Sequence, residues 1–297
     1  MKKRIIFPLI ALLALATACG SSQSDGEMTY HDPTNFFEPA DTATDSTSIL
    51  RRKFFADHGS YLLFNDTLQH SFLGYDTNGE PEYFTETVDV NYTLGSNDNS
   101  RIIYHYNYFN SYAEYKELVN YLEKFILVHF STKLRPFSWL LVKNISYTPV
   151  GHSNIVKSYA ASGQRCIALG CDALSTLNTD AKKQMLAKRQ LTVIVGNLAN
   201  NNTNAFGDFG AVSMKYYGTL AEDLNNTTEC AKQHGFISVS KTLPNYMPDF
   251  SADLAAFASL VINYDENQLQ KYYGNYPLII KKYYIVRQVL INLGYVF

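Results

Sequence analysis

The pattern of apolar residues changes near Asp180, and this change limits the folds that the chain can adopt. Before it, apolar runs of strand length, such as "FSWLLVKNISY" and "RCIALGCDAL", are separated by polar turns. From Asp180 onward, apolar residues recur at helical spacing, first in "DAKKQMLAKRQLTVIVGNLAN". We therefore predict an α+β fold, with a mixed sheet in the N-terminal half covered by helices and a helical C-terminal half.

Several helix ends carry sequence signals. The first helix is predicted in "SILRRKFFADHG", with Ser48 as its N-cap and Gly59 as its stop. In "SYAEYKELVNYLEKFILVHF", Ser111 and Glu114 have the spacing of a capping box. The helix in "SADLAAFASLVIN" is predicted to begin at its serine, Ser251.

The first residues have the pattern of an export signal. Three basic residues precede a short apolar run, and small residues then lead to Cys19 in "ATAC". This ending resembles the lipobox of bacterial lipoproteins, although Ala16 stands where leucine is usual. The resemblance implies that residues 1–18 are a lipoprotein signal peptide and that Cys19 is lipidated and anchors the chain to a membrane. An ordinary signal peptide with an unmodified Cys19 is the alternative.

Residues 19–48 are rich in Ser, Thr, Asp and Pro, which predicts a flexible tether. The predicted folded domain is 49–297, a length that suits one large domain. Removing the signal leaves 22 Lys and Arg against 27 Asp and Glu, so the exported chain is mildly acidic. No long basic run follows the signal, and we expect no nucleic-acid partner.

Cysteine and tyrosine offer two structural predictions. Cys166 and Cys171 lie five residues apart near one predicted strand, and together with Cys230 they are interpreted as small core residues rather than as a disulfide framework. In "RIIYHYNYF", spacing by two places Tyr104, Tyr106 and Tyr108 on one face of a strand. That face is a candidate stacking platform for a ligand such as a sugar chain; the alternative is that it packs against the body.

Common catalytic motifs do not occur in the sequence. There is no nucleophile elbow, phosphate loop or dinucleotide fingerprint. The histidines are scattered at spacings that do not suit a zinc site on one helix or strand.

The order of elements resembles a known family, the zincin-like metallopeptidase lipoproteins of Bacteroidota, which occur in polysaccharide- and nutrient-uptake loci. The segments that resemble it span most of 49–297: "ILRRKFFADHGSYLLFND", "GQRCIALGCDAL", "NYMPDFSADLAAFASLVIN" and "IIKKYYIVRQVLINLGYVF". The resemblance implies a zincin-like fold, an outer-membrane location with exposure at the cell surface as one possibility, and a zinc-binding His-Glu-x-x-His sequence on the helix that follows "GQRCIALGCDAL".

This chain departs from the family at the residues that carry the chemistry. The family's His, Glu and His correspond to Gly196, Asn197 and Asn200, and only Asp253 remains of a later acidic run. Glycine and asparagine supply neither good zinc ligands nor a general base. We therefore expect no metal, no cofactor and no catalytic residue, and interpret the four positions as the wall of a former active-site cleft. The alternative is that Gly196 ends the helix and "NLANNNTN" is a loop.

Two functional hypotheses remain from the sequence. The first is a non-catalytic outer-membrane lipoprotein that binds a peptide or glycan, or that serves as an accessory component beside an outer-membrane transporter in nutrient uptake. The second is an active metal-dependent hydrolase, a peptidase for example, whose ligands come from dispersed histidines such as His129, His152 and His234.

Overall fold

The computed structural model describes residues 35–88, 90, 102–149 and 153–297. The compact unit is Phe36–Phe297, so it begins before the predicted domain start at Ile49. Phe37 is buried in this unit, and Arg51 Nη2 donates a hydrogen bond of 2.7 Å to its carbonyl oxygen. The predicted signal peptide and Cys19 lie outside the described residues.

The described residues contain nine strands and eight α-helices. The strands are β1 (Tyr61–Leu63), β2 (Thr67–Tyr75), β3 (Pro81–Thr87), β4 (Tyr104–Asn107), β5 (Ser138–Val142), β6 (Asn144–Tyr147), β7 (Val156–Ser158), β8 (Ala160–Ser162) and β9 (Cys166–Gly170). The helices are α1 (Ser46–His58), α2 (Tyr112–Tyr121), α3 (Asp180–Asn201), α4 (Gly207–Ser213), α5 (Thr227–Gln233), α6 (Phe250–Asn263), α7 (Glu266–Tyr273) and α8 (Pro277–Leu293). None of the described helices is both long and apolar enough to cross a membrane.

The main sheet has the strand order β1-β5-β9-β8. Strands β1, β5 and β9 are parallel, whereas β8 pairs with β9 in the antiparallel sense. Two smaller sheets are formed by β4-β6-β7 and by the hairpin β2-β3. Strands therefore occupy the N-terminal half and helices dominate the C-terminal half, which confirms the predicted α+β class with a mixed sheet.

The central strand β5 is buried along its whole length because both faces of the main sheet are covered. Trp139 and Leu141 belong to the larger core cluster, which includes residues of α2, α3, α6 and α8. Leu140 and Val142 belong to the smaller cluster on the other face. A strand covered on both faces has a continuous apolar sequence, as "SWLLV" does.

The cysteine prediction is confirmed. Cys166, Cys171 and Cys230 are buried and free. Cys166 lies in the smaller core cluster and Cys171 in the larger one. The two thiols are therefore on opposite sides of the main sheet.

The helix boundaries differ in part from the prediction. Asp45, not Ser48, is the N-cap of α1, and its carboxylate accepts the backbone N–H of Ser48. Asp249, not Ser251, caps α6 in the same way. In both cases an earlier aspartate supplies the acceptor, so the helix begins before the predicted serine. The capping box of Ser111 and Glu114 is confirmed.

Candidate functional site

The helix that the family resemblance singled out is continuous. Helix α3 passes through Gly196 and Asn197 and ends at Asn201, so the alternative in which Gly196 ends the helix is wrong. Gly196 and Asn197 are half-buried and Asn200 is exposed. A Cβ added to Gly196 would meet no atom of the described residues within 4 Å, so their packing does not require a glycine there.

The rest of α3 is fixed to the body. Ile194, Val195 and Ala199 are buried in the larger core cluster. Helix α6 packs against α3, and Asn263 Nδ2 donates a 3.1 Å hydrogen bond to Thr192 Oγ1. The buried residues thus hold α3 in place while Gly196 faces open space.

Asp253 is the predicted site residue with the most unusual environment. It lies in the first turn of α6 and is only 1% exposed. Its Oδ2 atom accepts hydrogen bonds from Lys282 Nζ at 2.6 Å and from Tyr217 Oη at 2.9 Å. Its Oδ1 atom is buried and has no hydrogen-bond partner in the described part of the chain.

The ammonium group that pairs with Asp253 is enclosed by aromatic rings. Lys282 is fully buried in α8. Its Nζ atom lies 4.5–5.4 Å from the centroids of four rings, those of Phe209, Tyr217, Phe236 and Phe257. The negative faces of aromatic rings attract a cation, so these four rings offset part of the hydration free energy that the Lys282 ammonium loses on burial.

Burial decides the direction in which the pKa values of Asp253, Lys282 and Tyr217 shift. Burial raises the pKa of the Asp253 carboxyl, and the contacts with Lys282 and Tyr217 oppose that rise. Burial lowers the pKa of Lys282, and Asp253 opposes that fall. Burial and the nearby carboxylate raise the pKa of Tyr217. When both partners are ionised, the Asp253–Lys282 pair is neutral overall.

A groove lies over this pair. Its volume is about 610 Å³, and Asp253 is one of its lining residues. One wall consists of residues 237–242, which include Lys241, and the other is the first half of α6, where Ala252, Ala255 and Ala256 leave the space open. Gly196, Asn197 and Asn200 are not among the lining residues, so in the described structure the groove contains only one of the four predicted cleft positions.

The three tyrosines of the predicted platform face inward. Tyr104, Tyr106 and Tyr108 are partly buried and pack against the smaller core cluster. Burial raises the pKa of Tyr106, and burial together with a hydrogen bond to Asp66 raises the pKa of Tyr108. The exposed residues of the strand are His105 and Asn107. This placement favours the alternative in which the tyrosine face packs against the body.

The histidines of the hydrolase hypothesis lie in different surroundings. His129 Nδ1 is 2.7 Å from the Val296 carbonyl oxygen, and its ring stacks on Tyr295. The His234 ring stacks on Tyr216 at 3.8 Å between centroids, and its Nε2 is 3.4 Å from a carboxylate oxygen of Glu222. His152 lies outside the described residues. Within them, no three His, Cys, Asp or Glu side chains form a group that could hold a metal ion.

Sequence reasoning missed Lys282 and Tyr217 as partners of Asp253. A signal for Lys282 was present, because it falls on the same stripe of α8 as the buried residues Ile279 and Val286. A lysine at core spacing indicates a buried charge with a partner. Tyr217 carried no comparable signal.

No family model, curated protein or solved structure matches this chain.

Proposed function

We propose that the protein is a non-catalytic, ligand-binding lipoprotein of the outer membrane that serves a nutrient-uptake system. The observation that carries the ligand-binding part is Asp253, which lines the groove and whose buried Oδ1 atom has no hydrogen-bond partner among the described residues. A buried acceptor without a partner costs free energy, and a donor from a bound ligand would remove that cost.

The charges around Asp253 favour a neutral donor. Lys282 already balances the carboxylate through Oδ2, so a second ammonium group on Oδ1 would leave an excess positive charge in a buried place. A hydroxyl or an amide N–H adds no charge. We therefore infer a hydroxyl- or amide-bearing ligand, a class that includes sugars and peptides, with Lys241 available at the wall for an acidic group of the same ligand.

The chemistry of α3 supports a role without catalysis. Gly196 has no side chain, and the amides of Asn197 and Asn200 are neutral at all relevant pH values. None of the three can activate a water molecule as a general base. The proposed export and anchoring rest on the sequence around Cys19, and the link to nutrient uptake rests on the family resemblance.

Filling the groove should weaken ligand binding. Ala252 is exposed in the first turn of α6 and lines the groove, so Ala252→Leu places a larger side chain in the groove without touching the Asp253–Lys282 pair. Calorimetric titration of the intact chain with a panel of short peptides and oligosaccharides should identify a binding class. We expect Ala252→Leu to weaken that binding at least about tenfold, or about 1.4 kcal/mol.

The matched control is Ala181→Leu, which makes the same change at an exposed position in the first turn of α3. It should leave the affinity unchanged. Mass spectrometry of the recovered ligand should show its original mass. Equal losses in both variants, no binder in the panel, or a cleaved ligand would each contradict the proposal.

Restoring the family residues should create a zinc site. In Gly196→His/Asn197→Glu/Asn200→His, two imidazoles lie one helical turn apart, and the open space at Gly196 accommodates the first of them. We expect elemental analysis after zinc exposure and dialysis to find retained zinc in this variant and none in the unmutated chain. Gly196→Ala/Asn197→Glu/Asn200→His, which lacks the first imidazole, is the control. Near-stoichiometric zinc in the unmutated chain would return the hydrolase hypothesis to first place.

A further inference from the structure

The hairpin β2-β3 exposes an unusual amount of aromatic surface. Phe72, Tyr75 and Tyr83 are 51%, 71% and 49% exposed. At its base, Leu68 packs against the smaller core cluster and Val88 is buried within it. Its exposed aromatic residues are therefore displayed from a strand pair that is attached to the core.

The exposed rings form one continuous face. Phe72 and Tyr83 are directly opposite each other on the two strands, and their ring centroids are 5.6 Å apart. The ring centroids of Tyr75 and Phe72 are 5.2 Å apart, and the His70 ring stacks on Tyr83 with 4.6 Å between centroids. We call His70, Phe72, Tyr75 and Tyr83 the aromatic face of the hairpin. Contiguous exposed apolar surface of this kind marks sites of interaction.

The hairpin is also acidic. Residues 67–87 contain four carboxylates and no lysine or arginine; the four are Asp76, Glu80, Glu82 and Glu86. Asp76 Oδ1 accepts the backbone N–H groups of Asn78 and Glu80, so this carboxylate shapes the turn. Glu80 and Glu82 are exposed, Glu80 in the turn and Glu82 near the start of β3.

We propose that the aromatic face of the hairpin binds a basic segment of a partner protein. Lysine and arginine side chains are attracted both by the faces of exposed aromatic rings and by the negative charge of the hairpin that carries them. A second copy of this chain would bring an equally acidic hairpin to the contact, and an anionic lipid surface would repel the hairpin. Charge complementarity thus selects a cationic protein segment over these two occupants. None of these hairpin residues lines the groove over Asp253, so the inference does not rest on the proposed ligand site.

The test uses the intact chain and synthetic peptides that share their apolar residues but carry negative, zero or positive net charge. Fluorescence anisotropy should show binding of the positive peptide, with affinity that falls as salt is added. Phe72→Ala/Tyr83→Ala should weaken this binding about tenfold or more, because two cation–π contacts are removed. Glu80→Lys/Glu82→Lys leaves two carboxylates against two lysines in the hairpin, so it should abolish the preference for the positive peptide.

The matched control is Tyr272→Ala, which removes a ring that is 54% exposed on α7 and should leave peptide binding unchanged. Equal binding of all peptides, or none, would overturn the proposal. Failure of the positive peptide to bind would also overturn it if Phe72→Ala/Tyr83→Ala abolished another interaction. That interaction would be self-association, measured by sedimentation, or binding of an oligosaccharide. Circular dichroism of each variant establishes that a loss of binding is not a loss of folding.

Discussion

Replacing Lys282 with methionine should lower the free energy of unfolding by about 3–5 kcal/mol, because it leaves the Asp253 carboxylate buried without its cation. Methionine is close to lysine in length and is compatible with the surrounding rings, so the loss would come mainly from the charge. Urea denaturation followed by circular dichroism measures it, and an unchanged denaturant slope would show that only stability has changed.

A double variant separates charge from packing. In Asp253→Asn/Lys282→Met, both charges are gone, and the amide oxygen of the new asparagine can still accept from Tyr217 Oη. We expect the double variant to regain most of the stability lost in Lys282→Met, because removal of both partners of a buried ion pair is often close to neutral. A double variant no more stable than the single one would contradict this account.

The loss in Lys282→Met should also depend on pH. Burial already raises the pKa of Asp253 above its usual value, and removal of the cation removes an opposing effect. The native state then binds the proton more tightly than the unfolded state does, which favours folding in acid. The free energy of unfolding that Lys282→Met loses, relative to the unmutated chain, should therefore be small below the ordinary carboxyl pKa. This loss should grow as the pH rises through the raised pKa of Asp253 in the native state.

Replacing Gln190 with leucine should lower the free energy of unfolding by about 2–6 kcal/mol. Gln190 is fully buried in α3, where Oε1 accepts from Tyr121 Oη at 2.7 Å and Nε2 donates to the Gly170 carbonyl oxygen at 2.9 Å. Leucine fills a similar volume but leaves the hydroxyl and the carbonyl without these partners, at about 1–3 kcal/mol for each group. Chemical denaturation measures the change.

Removal of the Tyr121 hydroxyl should recover part of the free energy of unfolding lost in Gln190→Leu. In Tyr121→Phe/Gln190→Leu, no buried hydroxyl remains at Tyr121 without its partner, so the double variant should be more stable than Gln190→Leu by about 1 kcal/mol or more. A loss below about 1 kcal/mol in Gln190→Leu would show that the hydrogen bonds among α2, α3 and β9 contribute little.

The fold class could be predicted because it depends on local patterns. The apolar run "SWLLV" predicts a buried strand, and it forms β5, which is buried on both faces. The helical spacing of apolar residues after Asp180 predicts a helix, and these residues form α3. Helix starts were harder to predict because aspartates and serines that can both cap occur within three residues of one another, as at Asp45 and Ser48. Which of the two residues serves as the N-cap depends on the path of the preceding chain along the folded domain, and the local sequence does not determine that path.

The site could be predicted only in part because its contacts are distant in sequence. Asp253 was identified through a resemblance, but its partners Tyr217 and Lys282 lie 36 and 29 residues away. The alternation of Tyr104, Tyr106 and Tyr108 correctly predicted a shared face. It could not indicate whether core or solvent covers that face, because the answer depends on residues packed from other strands.

The two thiols on opposite sides of the main sheet are protected from chemical attack. Burial raises the pKa of Cys166 and of Cys171 to about 12, and the thiolate is the form that attacks disulfides. Both side chains are also enclosed by the core. In an oxidising compartment, mispairing of these cysteines would therefore be confined to the interval before the chain folds, and the rate of folding would decide how much of the protein escapes it.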